Sequence, residues 1–275
     1  MSVKKDASGR RSVQVEFEVP GTPEEVWQAI ATGPGMSAWF VPAEFEERDG
    51  KPIAVTLDFG GGMESRSVVT AWDPPRMFFR EGAGWVPGSP PIATEFSVEA
   101  RAGRVCVVRV VQSLFSSTDD WDAQLTGAEE GWPGIARILR LYLTHFRGQR
   151  SAIMRVMAPV PGTAAEAWAT LTAALGLIGV GDGQRWAVPA GVPPLGGVVE
   201  HLSQTPYGAL LRLDQPGPGT AALGTIEFGD AVMATLSFYL YGDEAAGTVA
   251  RVTPLWQAWI QERFPMPSSP STTEH

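Results

Sequence analysis

Two charged side chains in apolar surroundings are the first candidates for chemistry. Arg109 follows Val105 and Val107 at strand spacing and shares their face. If this face points inward, an arginine destabilises the fold unless it is paired, and it could then anchor a ligand carboxylate. If the face points to solvent, Arg109 has no such role. His145 lies about two helical turns after Ile138, where it could act as an acid or base inside a cavity. Alternatively, it is a histidine favoured by the dipole near a helix C-terminus.

Other charged residues in predicted strands could likewise point either to the interior or to the solvent, namely Glu64, Arg66, Arg80, Glu81 and Glu95.

Other catalytic and metal-binding patterns are missing from the sequence. His145, His201 and His275 are far apart and have no second His or Cys at the spacing of zinc ligands. Neither a Gly-x-Ser-x-Gly nucleophile turn nor a phosphate-binding loop occurs. The single cysteine, Cys106, lies in an apolar run and is interpreted as a buried small side chain. We therefore expect no metal, no cofactor and no catalytic residue other than the His145 alternative.

Aromatic residues are the main candidates for ligand contact. The chain has ten tryptophans, and large rings line cavities as well as cores. Trp85 lies in a stretch rich in Gly and Pro and is predicted to belong to a mobile entrance loop. The predicted ligand-binding residues are Trp39, Phe40, Trp72, Phe78, Trp85, Phe96, Arg109, Trp132, Ile135, Leu139, Tyr142 and His145.

Composition excludes several classes of partner. The chain has 275 residues, 44% of them hydrophobic, and a formal charge of −9. Nucleic acids and anionic membrane surfaces attract clustered Lys and Arg, so neither is expected as a partner. The polar start of the chain is not a secretory signal, and no run of about 20 apolar residues could span a membrane. We expect a cytoplasmic protein.

The beginning of the chain is repeated in its second half. Residues 20–27 and 161–168 both start with Pro-Gly-Thr and both end in Trp at the same spacing. An alternating strand precedes each copy and an amphipathic helix follows it. Thr22 and Thr163 are each followed three residues later by Glu, which predicts a capping box at both helix starts. Two similar domains in tandem are the simplest explanation.

The remaining pattern predicts mostly strands in each half. In the first half the strands are followed by a loop over residues 115–124 and a helix over 131–148. In the second half they are followed by a helix that contains Pro254. This proline should kink the helix or mark its start late in the segment. The strands of the first half are predicted at 42–48, 52–59, 63–72, 75–80, 92–100 and 104–113; those of the second half at 152–158, 184–188, 195–204, 207–214, 220–228 and 231–241.

These elements predict two folded segments with a tail at each end. Residues 1–11 are expected to be a flexible tail, 12–148 the first domain, 151–264 a shorter second domain, and 265–275 a disordered tail.

The order of strand, helix, about six strands and long helix resembles the helix-grip fold of the START/Bet v 1-like (SRPBCC) superfamily. It is most similar to the activator of heat-shock protein 90 ATPase homologue family, with its Aha1-type C-terminal domain. The residues that carry this resemblance are Val15 through Ile30, Trp39-Phe40, Val69 through Arg76 leading to Phe78, and Glu130-Gly131-Trp132. The second half matches only through the repeat, so its cavity is expected to be reduced or absent.

The resemblance implies an α+β protein with two tandem helix-grip domains, each a curved antiparallel sheet around a long C-terminal helix. Such domains are frequent in bacteria, and they include carriers, cyclases and co-chaperone domains. We expect non-enzymatic binding of a small hydrophobic or amphipathic ligand between sheet and helix of the first domain. A polyketide cyclase- or hydratase-like enzyme using His145, and a co-chaperone-like interaction module, are the alternatives. A homodimer or a protein partner stays open.

Overall fold

The computed structural model describes residues 3–60, 62–82, 88, 90–116, 118–204, 207–228 and 231–265. The chain divides into two compact units, Met1–Arg150 and Ser151–His275. Within the described residues, no helix is both long and apolar enough to cross a membrane.

The first unit is built on an eight-stranded antiparallel sheet with the order β1-β2-β8-β7-β6-β5-β4-β3. Its strands are β1 (Lys4–Lys5), β2 (Arg10–Pro20), β3 (Ala43–Arg48), β4 (Lys51–Asp58), β5 (Glu64–Asp73), β6 (Met77–Gly82), β7 (Ile92–Arg101) and β8 (Val105–Phe115). Its helices are α1 (Pro23–Ile30), α2 (Gly33–Ser37) and α3 (Asp122–Leu141), and α3 continues into a π-helical turn over Tyr142–Phe146.

Alternation along the strands separates an inner face from an outer face. On β8, Cys106, Val108 and Val110 are buried, whereas Arg109 between them is exposed. Helix α3 packs against β2 and β8. A curved antiparallel sheet that holds a long C-terminal helix is the helix-grip fold, as the sequence predicts.

The second unit repeats this plan with a six-stranded antiparallel sheet, in the order β10-β11-β12-β13-β14-β9. Its elements are β9 (Ser151–Val160), α4 (Ala164–Leu175), β10 (Arg185–Ala187), β11 (Gly196–Gln204), β12 (Tyr207–Gln215), β13 (Gly219–Phe228), β14 (Ala231–Tyr241) and α5 (Ala245–Arg263). Helix α5 starts well before Pro254 and runs through it, so the predicted late start is wrong.

Both predicted capping boxes are present. Thr22 Oγ1 accepts from Glu25 N at 3.3 Å, and Glu25 Oε2 accepts from Thr22 N at 2.8 Å. Thr163 and Glu166 make the same pair of bonds, at 3.2 and 2.9 Å. These bonds satisfy backbone N–H groups that a helix start otherwise leaves open.

A tryptophan closes the other end of each capped helix. Trp39 Nε1 donates to the carbonyl of Ala29 at 2.8 Å, and Trp186 Nε1 donates to the carbonyl of Leu175 at 2.9 Å. The last carbonyls of a helix have no partner within it, so each indole satisfies one of them. The repeat therefore extends from the helix start to its end.

The start of the chain corrects the predicted tail over residues 1–11. From residue 4 this segment pairs with the sheet, since Lys4 lies opposite Ser12 and Lys5 opposite Arg11. Asp6 Oδ1 organises the turn by accepting from the backbone of Ser8 at 2.8 Å and of Arg10 at 3.1 Å. At the other end of the chain, residues 266–275 of the predicted disordered tail lie outside the described residues.

Helix α3 begins at Asp122 rather than at Gly131, so part of the predicted loop over residues 115–124 is helical. Glycines at 127 and 131 weaken the helical signal of this segment. Tertiary contacts outweigh that weakness, because Leu125 is fully buried and the Asp122 carboxylate forms a two-pronged ion pair with Arg11 on β2.

Candidate functional site

Aromatic rings from several elements converge on the inner face of the first sheet. Trp132 of α3 stacks on Phe40, with ring centroids 6.0 Å apart, and meets Phe96 of β7 edge-on at 5.7 Å. Phe96 stacks on Phe78 of β6 at 4.9 Å. Phe17 of β2 lies 6.5 Å from Trp132. This group, which we call the aromatic wall, joins the sheet to the long helix.

A row of polar side chains runs across the same face beside the aromatic wall. Arg80 on β6 lies opposite Thr94 on β7, and Thr94 lies opposite Gln112 on β8. All three are buried, as is Ser67 on β5. Directly opposite residues point to the same face of a sheet, so these side chains form one polar row inside the fold.

Both ends of the polar row are hydrogen-bonded. Gln112 Oε1 accepts from Trp132 Nε1 at 2.8 Å, which ties the row to the aromatic wall. Arg80 Nη1 donates to Ser67 Oγ at 3.1 Å, but Arg80 Nε is buried without a hydrogen-bond partner. Burial lowers the pKa of the Arg80 guanidinium to about 10, so it stays a cation at neutral pH.

A sequence model of the family "Activator of Hsp90 ATPase homolog 1-like protein" matches residues 20–144. This range covers the aromatic wall, except Phe17, and the whole polar row. Residues 20–144, somewhat less than half of the chain, are thus similar to this family. We call the first unit, which contains this segment, the activator-like domain.

Several solved structures also match the chain, at low sequence identity. The di-domain ARO/CYC BexL from the BE-7585A biosynthetic pathway is 12% identical. The match covers 94% of this chain and 99% of the BexL chain, with a TM-score of 0.45. MLL2253 from Mesorhizobium loti is 22% identical over 50% of this chain and 98% of its own, with a TM-score of 0.43. The Aha1 dimer from Colwellia psychrerythraea is 19% identical, and the match covers 50% of this chain and 98% of the Aha1 chain, with a TM-score of 0.39. No curated protein matches the chain.

The activator-like domain places most predicted aromatic residues in its interior. Trp39, Phe78, Phe96, Trp132, Leu139 and Tyr142 are buried, and Phe40, Trp72 and Ile135 are half-buried. Trp72 adjoins the aromatic wall, because its ring lies 5.7 Å from that of Phe78, and it also meets Trp27 at 4.9 Å and Phe45 at 6.4 Å. Trp85 lies outside the described residues.

Arg109 lies on the outer face, so the solvent-facing alternative applies to it and its predicted place among the ligand-binding residues inside the cavity is not supported. Its side chain is exposed and donates to Ser97 Oγ at 3.2 Å and to Glu95 at 3.5 Å. The neighbours Cys106, Val108 and Val110 take the inner positions of β8. Arg109 instead lines a cleft of about 460 Å³ on the outer surface, together with Arg76, Arg101 and several glutamates.

His145 is exposed, and it does not face the interior. The prediction assumed α-helical geometry from Ile138 onward. The π-helical turn over Tyr142–Phe146 holds more residues per turn, so a seven-residue spacing no longer returns to the same face. Phe146 takes the buried position next to it, 6.0 Å from the His145 ring.

The polar row is the part of the site that sequence reasoning missed. Arg80 is one of five charged residues whose facing was undecided, and among them it alone is buried. Its spacing of two residues from Phe78 was the available signal, because residues two apart on a strand share a face. The same spacing relates Thr94 to Phe96 on β7 and Gln112 to Val110 on β8.

A second cleft, of about 440 Å³, lies beside Trp27 and Trp72 and is bordered by Gly33 and Glu44. Among the described residues, no three His, Cys, Asp or Glu side chains are grouped so that they could hold a metal ion.

Proposed function

We propose that the activator-like domain binds a small hydrophobic or amphipathic molecule between the inner face of its sheet and α3, without catalysing a reaction. The aromatic wall offers apolar contact area from β2, β6, β7, α3 and the segment after α2. Binding sites for such ligands combine a mostly apolar lining with a few polar groups that fix orientation.

The polar row is the observation that carries this proposal. A purely structural core would gain little from Arg80 in this row, because buried polar groups destabilise a core unless they are hydrogen-bonded, and Arg80 Nε has no acceptor among the described residues. Next to the aromatic wall, the same groups supply the directional contacts that a ligand needs. The combination favours recognition of a molecule that has an apolar body and a polar end.

The candidate acid or base of the enzymatic alternative, His145, does not lie in the interior of the domain. A cyclase- or hydratase-like reaction in the same place depended on His145, whose side chain is exposed at the end of the long helix. Ser, Thr, Gln and Arg in the polar row do not exchange protons readily near neutral pH. Binding without catalysis is therefore the function that we propose.

Native mass spectrometry of the freshly purified full chain tests the proposal. We expect ions heavier than the bare 29.4 kDa chain, from which collisional activation releases one small molecule. Isothermal titration of the stripped protein with that molecule should then give a one-to-one complex. Bare protein that also fails to bind any amphipathic probe at about 1 mM contradicts the proposal.

A pair of Trp→Phe variants locates the site. Trp132→Phe shortens the aromatic wall and removes the bond to Gln112, so it should weaken binding at least about tenfold. Trp256→Phe makes a similar change in the core of the second unit and should leave binding unchanged. Equal effects of the two variants would place the ligand elsewhere.

A further inference from the structure

We infer that the ligand carries a carboxylate, and that Arg80 receives it; this inference rests on the proposed function. The ligand class would then be a small organic acid with an apolar body, held with its anionic end at the polar row and its body against the aromatic wall.

Arg80 is a buried cation that has no anionic partner among the residues that the structure describes. Its side chain is 9% exposed, and its only described hydrogen bond is the one from Nη1 to Ser67 Oγ. Nε is buried and has no acceptor. None of the ion pairs among the described residues includes Arg80.

The other buried arginine of this unit shows what is missing. Arg11 is 7% exposed, and both its Nε and an Nη bond the two carboxylate oxygens of Asp122. A buried charge is normally paired in this way, because an unpaired ion in a low-dielectric interior is strongly destabilising. Arg80 has similar burial and the same fork of donors, but no carboxylate from the described part of the chain lies on them. A ligand carboxylate would complete the arrangement.

The surroundings of Arg80 indicate what is attached to that carboxylate. Phe78 lies two residues earlier on β6 and points to the same face, where it stacks on Phe96 at 4.9 Å. At the far end of the polar row, Gln112 is bonded to Trp132 of the aromatic wall. A cation beside a continuous apolar surface suits an acid whose body is aromatic or aliphatic, and it disfavours small, fully hydrated anions such as phosphate.

Matched acids and amides test this inference on the full chain. Isothermal titration would compare benzoate, 2-naphthoate and dodecanoate, each with its primary amide, which has nearly the same shape but no charge. We expect at least one acid to bind about tenfold or more tightly than its amide, since hydrogen bonds to an ionised group are the stronger ones.

Two variants assign the preference to Arg80. Arg80→Met keeps an unbranched side chain in the same space and should bind acid and amide equally, with amide affinity close to that of the unaltered chain. Arg109→Met removes an exposed arginine from the outer face and should keep the full preference. The comparison in the unaltered chain does not depend on whether Arg80→Met folds.

Each outcome has one meaning. Equal affinity for acid and amide in the unaltered chain, or a preference that survives Arg80→Met, overturns the role of Arg80 and leaves the proposed function standing. Failure of every acid and amide to bind at about 1 mM overturns the carboxylate inference, and it overturns the proposed function as well if native mass spectrometry shows bare protein.

Discussion

Trp132 on α3 and Gln112 on β8 form a buried hydrogen bond, with 2.8 Å between the indole Nε1 and the amide Oε1. This bond joins the long helix to the inner face of the sheet, at the point where the aromatic wall meets the polar row. Both side chains are at most 5% exposed, so neither can exchange its partner for water without local opening of the fold.

Breaking this bond from the Gln112 side should destabilise the activator-like domain. Gln112→Leu leaves the Trp132 N–H buried without an acceptor, which costs about 1–3 kcal/mol. Combining it with Trp132→Phe removes both partners, so the double variant should lose about 1 kcal/mol less than the sum of the two single variants. Urea denaturation of the three variants measures this coupling, and strict additivity would show that the bond contributes nothing.

Gly35 is predicted to tolerate no side chain. A Cβ at this position would lie 1.9 Å from the backbone oxygen of Gln28, where α1 and α2 approach each other. Gly35→Ala must therefore push the two helices apart, and we expect it to destabilise the domain by about 3 kcal/mol. Gly134→Ala is the control, because an added methyl there meets nothing within 4 Å. In the interior of α3 it should stabilise by about 0.5–1 kcal/mol. Similar calorimetric melting temperatures for the two variants would contradict this account.

Two tryptophans of the second unit should respond differently to the same substitution. Trp186 Nε1 donates to the Leu175 carbonyl at the end of α4, whereas Trp168 Nε1 is buried without a partner. Both Trp→Phe changes lose ring volume, but only Trp186→Phe leaves a helix-end carbonyl unbonded. We expect Trp186→Phe to destabilise by about 1 kcal/mol more than Trp168→Phe. Urea denaturation measures the free energy of unfolding of both variants, and a larger loss for Trp168→Phe would contradict this prediction.

Glu25 should make stability depend on pH in the acid range. Its carboxylate accepts from Thr22 N and lies beside Arg147 and Arg104, and these contacts hold its pKa below the ordinary value of 4.5. Because the pKa is depressed in the folded state, the stabilisation is present above about pH 4.5 and disappears as the pH falls through the folded-state pKa. Glu25→Gln should therefore be less stable than the unaltered chain at pH 7, and the two should converge at low pH.

The neighbouring Glu24 is the control for this titration. It is exposed, and no ion pair among the described residues includes it. In thermal melts from pH 3 to pH 7, Glu24→Gln should therefore lose less stability at pH 7 than Glu25→Gln does. A difference between Glu25→Gln and the unaltered chain that grows towards low pH would show that the sign of the effect is wrong.

Much of the fold was predictable because it depends on neighbours in the chain. The capping boxes at Thr22 and Thr163 require only a hydroxyl and a carboxylate three residues apart. Strand alternation and turn residues are equally local, and they placed the strands of both sheets close to their observed bounds. The repeat of these local patterns was enough to predict two similar units, and the resemblance to a known family implied that each has the helix-grip fold.

The candidate site was less predictable because it depends on which face of each strand becomes the interior. Arg80 and Arg109 are both arginines in half-apolar strands, and sequence alone gives them the same two options. The curvature of the sheet and the helix packed against it put Arg80 inside and Arg109 outside. One π-helical turn likewise moved His145 away from the interior face. Local patterns thus determined the elements of this protein, whereas only the tertiary structure decided which polar groups face its core, because facing is set by contacts between segments far apart in the chain.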